Sequence, residues 1–542
     1  MKGYYRKFIF LLTMVLFFAG CSQTSGTAGM NSADSTREAA AEKVKKPSPM
    51  TLSVEAVADP SVAAEDITDP YMEINKYALE IHRPDRDLYN MLFRAADDMK
   101  KSVDISAFNL SFKEKVDTAE CLLSEAGCRF FYLKNYKISK DGKTATLIYT
   151  GNMDENKRNK EIFYSRLSHL LNNVAPKNYT DMQKFLAVYE YLCETSNYSH
   201  DIKDPATFSP YSILVKGEGI CGGYANLMAY TMNRLNVRTE YVCNEPHAWN
   251  IIMLDGKWYN TDVTWGAGSA GSMYNYVNFV LMNDKQRLES LENNGTSTKG
   301  IILGYPRDNP TKPPACTDES FSGYCSIFDD YAMDIEHSKV YLQSDKGIEC
   351  MNLDCTGRST IAAAMKTIQM AYFNGILYFI NADDNLLYSM IPGEKPELID
   401  GKMLPSYIKL SGTELVYGVD PSGADSKFIN LLPVDLDKIG EEDIVSLSGT
   451  DIPRTCSFSF NIKFSSEVGT SQNWNESVYL VDSKGNTIPL HFELSADGGI
   501  LSVRPEQCIS DNDEVSLIIK KDIISVDGAE LASPYRMDVK IR

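Results

Sequence analysis

The dipeptide Asp255-Gly256 separates two apolar, β-prone runs, Ala248 to Leu254 and Lys257 to Thr264. An Asp-Gly pair in that setting is a strong signal for a two-residue hairpin, because both residues tolerate the positive φ angles such a turn demands. The turn fixes the register: Leu254 faces Lys257, and counting outward along an unbulged ladder sets His247 opposite Thr264. Cross-strand partners and residues two apart share a face, which puts Asp262 on the face of His247, one diagonal step away and opposite Trp249. A carboxylate then reaches an imidazole. A slip of one residue would send the two groups to opposite faces, so the chemistry depends on this register.

Upstream lies Gly217-Glu218-Gly219-Ile220-Cys221-Gly222-Gly223-Tyr224-Ala225, and the stripe Tyr224, Ala225, Met228, Ala229, Met232 and Leu235 predicts a helix with Cys221 in its first turn. Free N–H groups and the helix dipole at such a place stabilise a thiolate, and a neighbouring imidazolium adds to the effect. The glycines keep side chains away, so a substrate carbonyl can approach the Cys221 N–H as an oxyanion donor, with Tyr198 or Tyr211 as candidates for the second donor. Cys221, His247 and Asp262, in this order, read as a nucleophile, its base and the group that orients the base. Each alone has a plainer reading: a small buried hydrophobe, a core histidine, a strand-end acid. Together they outweigh it, because the chain has only six histidines and one falls on the derived face with an acid, downstream of a helix-starting cysteine. Trp249, Trp258 and Trp265 are read as packing that shields the site, with Gly222 and Trp249 as candidates to line the substrate pocket.

At 542 residues the chain is too long for one hydrophobic core, and about three or four domains are expected. A formal charge of -19, with no basic cluster outside the extreme N-terminus, argues against nucleic acid as a partner. Twelve cysteines fit no framework of paired C-x-x-C zinc clusters, and acids such as Asp329 and Asp330 lack the spacing of a calcium loop. No metal and no cofactor is expected. Cys350 with Cys355, or Cys121 with Cys128, could bridge locally in an oxidising setting or stand as buried thiols; the spacing leaves both open.

Along the chain, Lys2, Arg6 and Lys7 precede an apolar run from Phe8 to Ala19, too short for a membrane span and suited to a secretory signal over 1–20. Its end, Phe18-Ala19-Gly20-Cys21, resembles the bacterial lipoprotein cleavage box, with Phe18 where Leu is usual. That resemblance implies a lipid on Cys21 and a tether to the membrane; the alternative is ordinary signal cleavage beside a chance cysteine. Residues 21–60 have the composition of a disordered spacer. Residues 61–175 read as an α+β extension, with the helical set Leu88, Met91, Leu92 and Ala95 and a strand pair, Arg129 to Ile138 and Thr144 to Tyr149, turning near Asp141-Gly142. A helix from Met182 to Cys193 leads into the core, 176–300. In 316–445, Tyr341, Tyr378 and Tyr417 sit in apolar triplets roughly forty residues apart, which suggests propeller-like β units; about three are too few to close a propeller, which leaves an open β module or a coincidence of hairpins. Residues 446–542 alternate as in Phe458, Phe460, Ile462 and Phe464, a β-sandwich pattern. The runs Phe464 to Val468, Leu501 to Pro505 and Ile523 to Leu531 resemble bacterial Ig-like domains.

The stretches around Cys221, His247 and Asp262, with Pro210-Tyr211-Ser212-Ile213-Leu214-Val215-Lys216 leading in, resemble the transglutaminase-like superfamily in its bacterial secreted or lipoprotein branch. The likeness covers residues 70 to 290, with its centre between Thr180 and Trp265. It implies a papain-like α+β fold in which Cys221 is the nucleophile, His247 the general base and acid, and Asp262 its orienting partner. Many relatives carry Gln or Arg where this chain has Gly222, a departure that touches substrate preference. The implied reaction is thiolate attack on an amide carbonyl, giving a thioester that water or an amine resolves. The expectation is a multi-domain, extracytoplasmic enzyme, held at the cell surface by lipid on Cys21 and acting on protein or cell-wall peptide amides. The alternative is a non-catalytic surface binding or adhesion protein that uses the same fold and the Ig-like module as a recognition scaffold.

Overall fold

In the segment 61–175, two helices, Arg86–Asp97 and Phe112–Glu125, pack on a three-stranded antiparallel sheet ordered Ser102–Asp104, Thr144–Tyr149, Leu133–Ile138. The computed structural model in which this is seen describes residues 48–541 apart from 59–66, 75, 126–127, 200–204, 268–275, 305–311, 328–329, 412–413, 420–425, 432–443, 453–456, 507 and 510–513. The expected signal, Cys21 and Asp329 lie outside the described residues. Asp85 caps the first helix by accepting from the Leu88 N–H, and Leu88, Leu92 and Ala95 enter the core while Met91 faces outward. The first strand of the expected pair starts at Leu133 rather than Arg129. Arg129 is buried against the rings of Phe93 and Tyr164, at 5.1 and 5.5 Å, and the chain turns there before it can pair.

The core that follows begins with helix α1 (Asp181–Thr195), started by a reciprocal Thr180/Gln183 capping box. Helix α2 (Cys221–Arg234) starts at Cys221 because Ile220 stays extended, with φ −118° and ψ 174°. Strands β1 (Thr239–Cys243), β2 (Ala248–Leu254) and β3 (Lys257–Thr261) form an antiparallel sheet, and helix α3 (Asp284–Asn293) follows behind an Asn283/Gln286 capping box. The β2–β3 register is the expected one, from Leu254↔Lys257 to Asn250↔Thr261, and the turn residues Asp255 and Gly256 sit at φ 49° and 76°. An edge strand, Ile302–Leu303, joins β1, so the sheet extends past the expected limit of residue 300. Phe185, Val188, Tyr189 and Leu192 of α1 and Tyr224, Leu227, Met228 and Met232 of α2 share one apolar core with Ile252 and Tyr259 of the sheet. Each such side chain is worth about 1.5–3 kcal/mol of burial, which makes the helix–sheet frame around Cys221 rigid.

The periodic tyrosines mark a real repeat. Strands Tyr331–Asp334, Lys339–Ser344, Gly347–Asn352 and Ser359–Ala363 form one antiparallel meander, and Thr367–Phe373, Ile376–Asn381, Leu387–Met390 and Glu397–Asp400 a second. Tyr407–Ser411, Glu414–Gly418 and Lys427–Asn430 form a third, of three strands. Tyr341, Tyr378 and Tyr417 each lie on the second strand of a meander, where the apolar triplet supplies the buried face.

The C-terminal region holds two sheets over one apolar core. One is ordered Leu52–Ala58, Phe458–Phe464, Ile500–Pro505, Leu490–Leu494; the other runs Val445–Ser446, Tyr535–Ile541, Glu514–Ile519, Val478–Asp482, Thr487–Ile488. The first of these strands corrects the expected spacer at 52–58; the spacer's stretch 21–47 lies outside the described residues. Leu52, Val54, Ala56 and Ala58 alternate toward the core, and Leu52 pairs with Phe464 through to Ala58 with Phe458. A chain that begins at residue 59 is expected to lose about 2–5 kcal/mol from this module and to associate through the uncovered edge of Phe458–Phe464. Chemical denaturation and light scattering read the two effects, and an unchanged midpoint would remove the strand from the folded unit. Cys121, Cys128, Cys350 and Cys355 are free thiols, which resolves the open choice for both pairs, and Cys508 is disulfide-bonded. Among the described residues no helix is long and apolar enough to cross a membrane.

Candidate active site

The ladder between β2 and β3 stops at Thr261, and the next residue leaves it. The Asp262 N–H donates to the Phe279 carbonyl at 3.0 Å, and its side chain caps a one-turn helix, Val263–Gly266, by accepting from the Trp265 N–H at 3.2 Å. Thr264 therefore sits in that helix instead of opposite His247, and Asp262 does not pair with Trp249 as an extended ladder would have it. The departure still delivers the carboxylate. His247 Nε2 lies 2.7 Å from Asp262 Oδ2, with Asp262 fully buried and His247 nearly so.

Several ties hold this arrangement. Asn244 accepts the His247 N–H at 2.9 Å, and its own N–H returns a bond of 2.9 Å to the His247 carbonyl, closing the turn between β1 and β2. Asn250 Nδ2 donates to the carbonyls of Ala225 and Glu240, at 2.8 and 3.2 Å, fastening the sheet to α2. Asn260 accepts from Trp249 Nε1 at 3.0 Å and donates to Asp284 Oδ1 at 3.1 Å, fastening it to α3. Cys221, half-buried at the start of α2, interacts electrostatically with the His247 imidazole.

Electrostatics follow from that packing. Burial works against a charged imidazole, but the Asp262 carboxylate and the hydrogen bonds to Asp262 and Cys221 outweigh it and push His247 up to about 9. Burial likewise works against the Asp262 carboxylate; the charges of His247 and Arg287 and the Trp265 N–H outweigh it and hold Asp262 below the usual carboxylate range. Burial lowers Arg287 despite the pull of Asp262, yet a guanidinium starts so far above neutrality that it stays charged. The His–Asp pair is therefore an imidazolium–carboxylate pair at neutral pH.

The remaining expected residues divide. Tyr198, on a short strand paired with Glu218–Gly219 just before α2, interacts electrostatically with Cys221, whose approach raises its phenol together with burial. Tyr211 goes elsewhere: its hydroxyl donates to Asn159 Oδ1 at 3.1 Å and its ring stacks on Phe131 at 4.8 Å, so it is spent on the interface with the N-terminal segment. Trp249, 1% exposed, is core packing and does not line an accessible pocket. At Gly219 an added Cβ would come within 2.3 Å of Ile213 Cδ1 and 2.9 Å of the Thr207 carbonyl, so only glycine lets the loop reach Cys221. At Gly222 the same atom would stand 3.7 Å from Phe208 and from the Tyr241 hydroxyl, ordinary contact that leaves room for a side chain. Among the described residues no group of three or more His, Cys, Asp or Glu side chains is placed to hold a metal ion. Arg287, whose Nη2 donates to Asp262 Oδ2 at 2.9 Å, has no counterpart in the sequence reading. It lies on a polar helix whose pattern gives no sign that one of its cations is buried.

Residues 168–263 match the family profile described as the transglutaminase-like superfamily, a stretch that contains Cys221, His247 and Asp262 and stops short of Arg287. Over 135 residues the chain is 25% identical to kyphoscoliosis peptidase of Homo sapiens, covering 21% of this chain and 20% of that protein. Over 123 residues it is 26% identical to kyphoscoliosis peptidase of Mus musculus, covering 19% of each. The chain thus spans about a fifth of the length of the curated relatives it matches. Among solved structures it is similar to one described as a TGase, at 18% identity and a TM-score of 0.18, over 24% of this chain and 44% of the other.

Proposed function

We propose that the transglutaminase-like core of this chain is a cysteine enzyme that breaks or exchanges amide bonds. The observation that carries this reading is the buried 2.7 Å contact between the His247 imidazole and the Asp262 carboxylate, with Cys221 at the start of α2 interacting electrostatically with the same imidazole. Cys221 Sγ attacks the amide carbonyl, His247 gives a proton to the leaving amine, and a thioester forms on Cys221. Water or a second amine, deprotonated by His247, then releases the acyl group. The Cys221 N–H at the open end of α2 and the Tyr198 hydroxyl are the donors assigned to the oxyanion. Asp262 orients the imidazole through Nε2, which leaves Nδ1 to serve the sulfur.

The substrates proposed are protein or cell-wall peptide amides outside the cytoplasm, with the chain tethered through lipid on Cys21. The signal-like N-terminus supports that location, and the bonded Cys508 suits an oxidising compartment. The decisive experiment mixes a peptide library with and without a fluorescent primary amine and follows cleavage and amine incorporation by mass spectrometry. Cys221→Ala is expected to abolish both signals, and unchanged turnover in that variant would sink the enzyme reading. Which product forms in the wild type assigns water or amine as the acceptor.

A second reading is a surface binding protein, favoured by the repeated meanders and the two-sheet module, which among the described residues carry no comparable set of catalytic groups. Its test must respect the strand Leu52–Ala58: deleting 446–542 alone strands that segment, so 48–58 has to leave with it. Partner binding that survives Cys221→Ala and is lost on this paired deletion would favour recognition over catalysis.

A further inference from the structure

Asp262 Oδ2 serves two cations at once. His247 Nε2 meets it at 2.7 Å and Arg287 Nη2 at 2.9 Å. Both cations also share a pair of aromatic walls. The Arg287 guanidinium carbon lies 4.4 Å from the Trp249 ring centre and 4.5 Å from that of Trp265. The same two indoles lie nearly parallel to the His247 ring, at 6.0 Å and 16° for Trp249 and 4.8 Å and 12° for Trp265. Arg287 is 1% exposed, and its Nε and Nη1 have no hydrogen-bond partner among the described residues. An apolar side chain of similar volume would fill this space without the desolvation cost of a buried guanidinium. The expensive residue therefore needs a reason other than packing.

We infer that Arg287 is a positioning residue that acts through Asp262, pinning Oδ2 against the His247 imidazole and competing with the imidazolium for that oxygen's charge. The competition matters for proton transfer. An imidazole beside an unshared buried carboxylate holds its proton more tightly, and a second cation on the same oxygen loosens that hold. The groups that face the pair are Cys221 from α2, Asp262 after β3 and Arg287 from α3, with Tyr189 and Cys193 of α1 near Asp262, and with Tyr198 and, from β1, Cys243 near Cys221. Of these, Arg287 is the permanent cation. For its effect on rate the inference rests on the proposed enzyme reading; its effect on the titration of His247 does not.

The test is an NMR titration of the full chain labelled with carbon-13 at histidine Cε1, the His247 resonance being identified by its loss in His247→Gln. Arg287→Met is expected to raise the His247 midpoint by about half to one unit, because a cation some two bonded contacts away has been removed. Arg287→Lys, which keeps the charge, is expected to stay within about 0.3 unit of wild type. An unmoved midpoint in folded Arg287→Met would make Arg287 a filler, and a lowered midpoint would mean that Asp262 no longer engages His247; either overturns the inference. Should Arg287→Met fail to fold, Arg287→Gln retains a donor to Asp262 without charge and carries the same comparison. If wild-type Cys221 proves inert while the midpoint still rises, the enzyme reading fails and this one stands.

Discussion

Replacing Asp262 by alanine is expected to cost both the reaction and the fold. On the proposed mechanism His247 loses the group that fixes its ring and supports its charge, and turnover should fall by about a thousandfold or more. The same change leaves Arg287 as a buried cation without a carboxylate, since among the described residues its one hydrogen bond runs to Asp262 Oδ2. It also removes the cap of the Val263–Gly266 helix. Breaking one side of a buried ion pair costs about 3–5 kcal/mol, to which the cap adds about 1 kcal/mol. The double variant Asp262→Ala/Arg287→Met separates the two losses: much of the stability should return, because no charge is stranded, while turnover stays low. Urea denaturation of the four chains completes the cycle. A double variant destabilised by the sum of the two single losses would show that the Asp262–Arg287 pair carries no coupling, contrary to the 2.9 Å contact.

How far the sequence foretold this site depends on whether its signals were local. Asp255-Gly256 is a local signal, and the register it dictates is the one observed from Leu254↔Lys257 to Asn250↔Thr261. The start of α2 at Cys221 is local too, marked by glycines before and an apolar stripe after. The tyrosine repeat was legible because each meander buries its tyrosine on its second strand. What escaped was non-local. Leu52–Ala58 reads as spacer until its partner Phe458–Phe464 is known, since a single short alternating strand has no meaning without a sheet. Tyr211 looked like an oxyanion donor by proximity in sequence to Cys221, but stacking on Phe131 from the N-terminal segment turns it away. The counting that placed Asp262 beside His247 assumed a continuous ladder. The chain reaches the same contact by another route, leaving the sheet at Asp262 and capping a helix there, and neither Phe279 nor Arg287 announces its part in that route from composition.

The pH dependence of stability should carry the signature of His247. An unfolded histidine titrates near 6.5, and in the folded chain Asp262 and Cys221 overcome burial and raise His247 to about 9. Between those values the folded state binds a proton that the unfolded state releases. The resulting stabilisation is fully present below about pH 6.5 and is lost as pH rises through about 9, a span worth about 3 kcal/mol. Denaturation midpoints of wild type and His247→Gln, compared from pH 6 to 10, should therefore converge as pH rises. The offset between the two chains contains every other consequence of the substitution, and its change with pH belongs to the imidazole together with the groups coupled to it. Alkylation of Cys221 supplies the kinetic counterpart. The end of α2 is common to both chains, so faster labelling of wild type at pH 7, by about tenfold or more, isolates the contribution of the imidazolium. Convergence without faster labelling would place the proton on a structural His247–Asp262 pair and leave Cys221 outside it. Both together would require the thiol, the imidazole and the carboxylate to act as one unit, which a recognition scaffold has no physical need to assemble.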